Sequence, residues 1–142
     1  MANFNVLKLG RAVKQLQNLN HRSLEAGLRE IDCTLAQWDA LRAIDANPGA
    51  SAHALAEETF QTDQSFGTLV TRMIIKELVD REQGVGRALI HRLTPKGSSV
   101  LEQGMVIAKN VVDETFKELT QPEKKQLLSL LQKALLSGSD AD

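Results

Sequence analysis

The chain carries a single cysteine, Cys33, among 142 residues, which excludes an internal disulfide and any cysteine-rich metal site. It has no excess of either charge. Seventeen basic residues stand against 18 acidic ones, a formal net charge of -1, so any role with nucleic acid has to rest on where the charges sit. No apolar run approaches the roughly 18 residues of a membrane span, and the N-terminus lacks the apolar region of a signal peptide. A cytosolic protein with no membrane partner is expected. Motifs for chemistry are missing too. His21, His53 and His91 share no metal-ligand spacing and have no carboxylate at a useful interval, and there is no glycine-rich phosphate loop or nucleophile elbow. These absences argue against an enzyme and predict no catalytic residue, no metal and no cofactor.

What is present is a globular composition, 42% hydrophobic and 25% charged, enough for one domain over 1–142 with a real core. The charges are unevenly placed. Residues 1–24 hold Lys8, Arg11, Lys14 and Arg22 and no acid, and residues 83–101 hold Arg87, Arg92 and Lys96 and no acid, whereas Glu57, Glu58, Asp63 and the segment 77–82 gather the negative charge.

Apolar spacing then divides the chain into elements. From Phe4 to Ile31 the pattern predicts a long first helix, bent near Gly27. Thr34 caps a second helix carrying Leu35, Trp38, Leu41 and Ile44, which Asn47-Pro48-Gly49 ends. Ser51 caps a short third helix, and Gln61-Thr62-Asp63 restarts the chain as a fourth. On that fourth helix Phe66, Leu69, Val70, Met73 and Ile74 share one side; Gln64, Thr68, Thr71, Arg72 and Ile75 lie opposite.

Val79–Gln83 and Arg87–Leu93 read as strands around Gly84-Val85-Gly86, whose two glycines allow the positive φ of a tight connection. Asp80 and Glu82 flank Arg81, which is expected to brace the base of this hairpin. Thr94-Pro95 opens a fifth helix with a cap and a proline at its first position, with a stripe of Leu101, Met105, Ala108, Val112, Phe116 and Leu119. Thr120 and Glu123 form a capping box for a sixth, and Ser137–Asp142 reads as a polar tail. The predicted class is α+β, mostly helical: a winged helix-turn-helix over 34–94 between long terminal helices, 1–31 and 95–136.

Such a unit places one helix and one β-ribbon at a spacing suited to a DNA groove. The fourth helix has a face that anchors it and a face of side chains suited to bases and phosphates. Gln64 suits adenine, Arg72 suits guanine or a phosphate, Thr68 and Thr71 suit phosphates or thymine methyls, and Gly67 lets the backbone come close. Arg87 at the hairpin tip suits a minor groove. Arg72, Lys76, Arg87, Arg92 and Lys96 are the cations expected to meet phosphates or the minor groove.

The segments Leu55-Ala56-Glu57, Leu69-Val70-Thr71-Arg72, Leu78-Val79-Asp80-Arg81 and Arg87 through Leu93-Thr94-Pro95-Lys96-Gly97 resemble the pattern of MarR-type transcriptional regulators. The resemblance spans nearly the whole chain and is most specific at Leu-Thr-Pro-Lys-Gly. It implies a homodimeric repressor or activator on a pseudo-palindromic site in double-stranded DNA, with the first, fifth and sixth helices as dimerisation helices. It places Gln64, Ser65, Thr68 and Arg72 in the major groove and Arg87 in the minor groove. The chain departs from the family pattern at Val85, where an acid usually precedes the wing arginine, and at Phe60 and Glu77, where glycines are common.

Many relatives bind small aromatic anions between the dimer helices and the DNA-binding lobe. By that resemblance His21, Arg22, Trp38 and Arg42 are candidate effector contacts, although Trp38 also reads as packed core. Cys33 sits just before the Thr34 cap, where a helix terminus lowers a thiol pKa and a small buried residue fills a gap. The competing function is a protein-interaction module that has kept the winged helix but lost DNA binding.

Overall fold

The computed structural model describes residues 3–86 and 88–139. In chain order the elements are α1 (Val6–Leu28), a 3-10 turn (Arg29–Ile31), α2 (Leu35–Ala46), α3 (Ala52–Glu58), α4 (Asp63–Ile75), β1 (Val79–Gln83), β2 (Leu89–Leu93), α5 (Pro95–Thr115) and α6 (Gln121–Ser139). This is the mostly helical α+β architecture expected, with α2–β2 forming the winged helix-turn-helix lobe.

The helix starts follow from the caps. The side-chain oxygens of Thr34, Ser51, Thr62 and Thr94 accept from the backbone N–H three residues on, at Gln37, Ala54, Ser65 and Gly97. Each such bond satisfies an otherwise orphaned donor and contributes about 1 kcal/mol. Gln37 completes a capping box with Thr34, and Glu123 does so with Thr120.

Three helix ends share one geometry. After the turn at Arg29–Ile31, after α3 and after α4, the residue past the helix adopts positive φ: Asp32 at 52°, Phe60 at 57° and Glu77 at 62°. In each case the next N–H reaches back to the last turn, from Cys33 to the Leu28 carbonyl, Gln61 to Ala56 and Leu78 to Met73. These are Schellman closures, in which glycine is the favoured residue because it carries no Cβ penalty. The departures noted at Phe60 and Glu77 therefore leave the turns intact and load them with strain.

The core lies between α2, α3 and α4 and the start of β1. Ala40, Leu41 and Ile44 from α2, Leu55 and Ala56 from α3, and Phe66, Val70 and Met73 from α4 are buried together with Leu78, Val79 and Leu101. Burying each large side chain contributes roughly 1.5–3 kcal/mol. Leu69 and Ile74, assigned to the same face of α4, are partly buried at its edge. Trp38 packs against this core and its indole N–H donates to the Leu101 carbonyl at 3.3 Å.

The strands pair antiparallel, with Val79 opposite Leu93, Arg81 opposite His91 and Gln83 opposite Leu89. Of the two wing glycines only Gly86 has positive φ, 70°. Gly84 serves differently, because a Cβ there would come within 2.8 Å of the Ile90 side chain. The hairpin is braced not by Arg81 but by Arg92, whose Nε is 2.9 Å from Glu82 on the other strand.

The terminal helices depart from expectation in two details. The first helix runs through Gly27 to Leu28, and Gly27 lets α1 approach α5, since a Cβ there would meet the Ile107 side chain at 2.6 Å. The segment from Ser137 is helical through Ser139 rather than a loose tail. Val6, Leu9 and Val13 on α1, Met105 on α5 and Leu131 and Leu135 on α6 are exposed in the subunit.

Candidate nucleic-acid interface

The α4 helix turns two chemically different sides to its surroundings. Phe66, Val70 and Met73 are fully buried, while Gln64, Ser65, Gly67, Thr68, Thr71 and Arg72 are exposed. Gln64, Ser65, Thr68 and Arg72 also line an open cavity of about 320 Å³ shared with Ala36 and Gln61. The anchoring face sets the outward face, because a helix advancing about 100° per residue cannot bury one stripe without presenting the opposite one. The two threonine hydroxyls are already committed. Thr68 donates to the Gln64 carbonyl at 3.1 Å and Thr71 to the Gly67 carbonyl at 2.9 Å.

The cations sort differently from the expectation that all would meet phosphates or the minor groove. The Arg72 guanidinium has no ion-pair or hydrogen-bond partner among the described residues, while the backbone carbonyl of Arg72 accepts from the Lys76 N–H. Lys76, in contrast, reaches inward: its Nζ donates to the Asp32 carbonyl at 2.6 Å and to Gln37 Oε1 at 3.3 Å, and lies 3.6 Å from the Asp32 carboxylate. The α4 C-terminus brings Lys76 beside the closure at Asp32, where an unfilled carbonyl and a buried Gln37 draw its ammonium in. Arg92 is held by Glu82, and Lys96 Nζ donates to the Lys76 carbonyl at 3.0 Å. Arg87 lies outside the described residues.

The Leu93-Thr94-Pro95-Lys96-Gly97 segment explains itself at this junction. Thr94 Oγ1 donates to the Glu77 carbonyl at 2.6 Å and accepts from Gly97 N–H at 3.0 Å, and the Thr94 N–H bonds the Leu78 carbonyl at 3.1 Å. Gly97 lies so close to the Leu78 carbonyl oxygen that a Cβ would overlap it. Thus the end of α4, the start of the wing and the start of α5 are tied at one point.

At the other end of α4, His53 stands between two acids. Its Nδ1 is 2.9 Å from Asp63 and its Nε2 3.0 Å from Glu57. The hydrogen bond with Asp63, helped by both carboxylate charges, raises its pKa above the usual histidine range. His91 is the opposite case. It is buried against Phe66, ring centroids 6.2 Å apart and edge-to-face, with Nδ1 unpartnered. Burial, with a smaller contribution from Arg81, lowers its pKa.

Burial likewise pushes the Cys33 thiol up to about 11, outweighing the lowering by Lys76. The thiol fills space and donates to the Thr34 carbonyl at 3.4 Å. Of the candidate effector contacts, His21 and Arg22 are exposed on α1, Trp38 is packed as described, and Arg42 is paired with Asp39 at 2.8 Å. None of the four lines the cavity along α4, the one between β2 and the α2–α3 turn, or the one around Cys33. Among the described residues no group of His, Cys, Asp or Glu is placed to hold a metal, and no helix is long and apolar enough to cross a membrane.

Two helices packed as a helix-turn-helix, followed by a hairpin and flanked by long helices, define a winged helix-turn-helix fold. The model of the MarR family matches residues 31–88, which span the helix-turn-helix and the start of the wing. The chain is 26% identical over 119 residues to the HTH-type transcriptional repressor Rv2887 of Mycobacterium tuberculosis, covering 82% of this chain and 84% of the relative. Among solved structures it superposes on a mutant MarR from Escherichia coli complexed with operator DNA, with a TM-score of 0.83 and 24% identity over 92% of this chain and 95% of that one. A structure of Rv2887 with salicylic acid gives a TM-score of 0.74 at 23% identity, covering 89% of this chain and 95% of that one.

Proposed function

We propose that this protein is a sequence-specific DNA-binding transcriptional regulator, a repressor, that works as a homodimer on a pseudo-palindromic operator in the cytoplasm and catalyses no reaction. The observation that carries the reading is the outward face of α4, where Gln64, Ser65, Thr68, Thr71 and Arg72 are all exposed while the helix is anchored by Phe66, Val70 and Met73. The exposed apolar stripes of α1, α5 and α6 supply the second half, a surface on which two subunits meet and hold their α4 helices at a fixed distance. The kinship with a repressor and the likeness to a MarR–operator complex support the same conclusion.

A small aromatic anion is the effector class that fits this reading, as the salicylic acid complex of Rv2887 suggests. Within the subunit the polar groups of Trp38 and Arg42 are already engaged. His21 and Arg22 are therefore the contacts we assign to it. Arg87 on the wing is assigned to the minor groove.

Selection of bound duplexes from a random pool tests the function. The expected product is an inverted repeat whose half-sites lie about one helical turn, roughly 10 base pairs, apart. A pool in which no motif is enriched, or a subunit that stays monomeric at micromolar concentration, would overturn it in favour of a protein-interaction module.

A further inference from the structure

The exposed face of α4 continues past its polar residues to an aliphatic one. Ile75 is 76% exposed at the last position of the helix. At about 3.6 residues per turn, positions 68, 71 and 75 fall within roughly 60° of one another, so Ile75 extends the line of the two threonines. Those threonines use their hydroxyl hydrogens on the carbonyls of Gln64 and Gly67. What each presents outward is a methyl group and an acceptor oxygen, which repels a phosphate rather than binding it. Lys76, next in the chain, is withdrawn to Asp32 and Gln37 and adds no charge to this end of the face.

In the major groove the one apolar group on a base edge is the C5-methyl of thymine. We infer that Ile75, together with the methyls of Thr68 and Thr71, is a specificity-determining contact to thymine methyl groups, and that each half-site carries thymines opposite this ridge. Gln64, in line at the N-terminal end of the ridge, and Arg72, to one side of it, supply the hydrogen-bonding readout. The inference rests on the DNA-binding reading above and adds to it the base group recognised.

The test compares the selected duplex with the same duplex carrying deoxyuridine for thymine in both half-sites, a change that removes the methyls and leaves base pairing intact. Affinity measured by fluorescence anisotropy should fall about fourfold for each contacted methyl. Ile75→Ala, at an exposed site, should weaken binding to the thymine duplex and leave binding to the deoxyuridine duplex unchanged. Equal affinity for the two duplexes, or an Ile75→Ala loss of the same factor on both, overturns this inference while leaving operator binding in place. Failure to select any motif overturns both.

Discussion

Gly97, in the first turn of α5, packs its α-carbon against the carbonyl oxygen of Leu78 at the start of the wing, with no room for a side chain between them. Backbone faces backbone here, so neither partner can rotate aside. Gly97→Ala is expected to destabilise the fold by about 3 kcal/mol through overpacking, read as a lower urea midpoint. Wild-type stability in this variant would mean that α5 slides away at little cost.

Phe60 and Glu77 hold positive φ without being glycine. A residue with a Cβ gives up roughly 1–2 kcal/mol there, and glycine returns part of that as greater freedom of the unfolded chain. Phe60→Gly and Glu77→Gly should each stabilise the protein by about 0.5–1 kcal/mol in chemical denaturation. Phe60 is 95% exposed, so its removal sacrifices little packing. A net loss of stability would show that the phenyl ring makes contacts in the assembled protein.

His53 and His91 should give opposite pH dependences. The pKa of His91 is lowered by folding, so its contribution is complete above the unfolded value of about 6.5 and is lost as pH falls toward the folded one. The pKa of His53 is raised, so its contribution is complete below about 6.5 and is lost as pH rises through the folded value. Denaturation between pH 5 and 8 should show less acid loss in His91→Phe, which keeps the edge-to-face packing on Phe66. In His53→Gln the gain on the acid side should vanish. Parallel curves for wild type and either variant would contradict the assignment.

Arg72 and Lys76 are four residues apart and should behave as different kinds of residue. Arg72→Ala is expected to cost about 1–3 kcal/mol in operator binding if it contacts a base. Lys76→Ala should leave the salt dependence of binding nearly unchanged, because its ammonium is occupied by the Asp32 carbonyl and Gln37, and should lower stability by about 1 kcal/mol. A salt slope reduced by about one in Lys76→Ala would place it on a phosphate instead.

Much of this architecture is legible from local chemistry. Thr34, Ser51, Thr62, Thr94 and Thr120 announce their helices because a cap is made within three residues of itself. The buried and exposed sides of α4 follow from helical spacing alone. What sequence does not disclose is contact between distant segments. Lys76 reads as one more surface cation until the fold brings Asp32 and Gln37, 44 and 39 residues away, to its side. Gly97 reads as part of a motif, and its reason appears only when Leu78 is set against it. Gly84 and Gly27 look like conformational breaks yet act by making room for Ile90 and Ile107.

The bonds from Thr94 and Lys96 to residues 76–78, with Gly97 packed against Leu78, have a mechanical consequence. The reading head and α5 cannot tilt separately, so together they behave as the jaw and handle of a pair of pliers. In the proposed homodimer, the gap between jaws would then be set by the angle at which the handles cross, far from any base. A guest wedged among the handles would alter the bite without touching the groove.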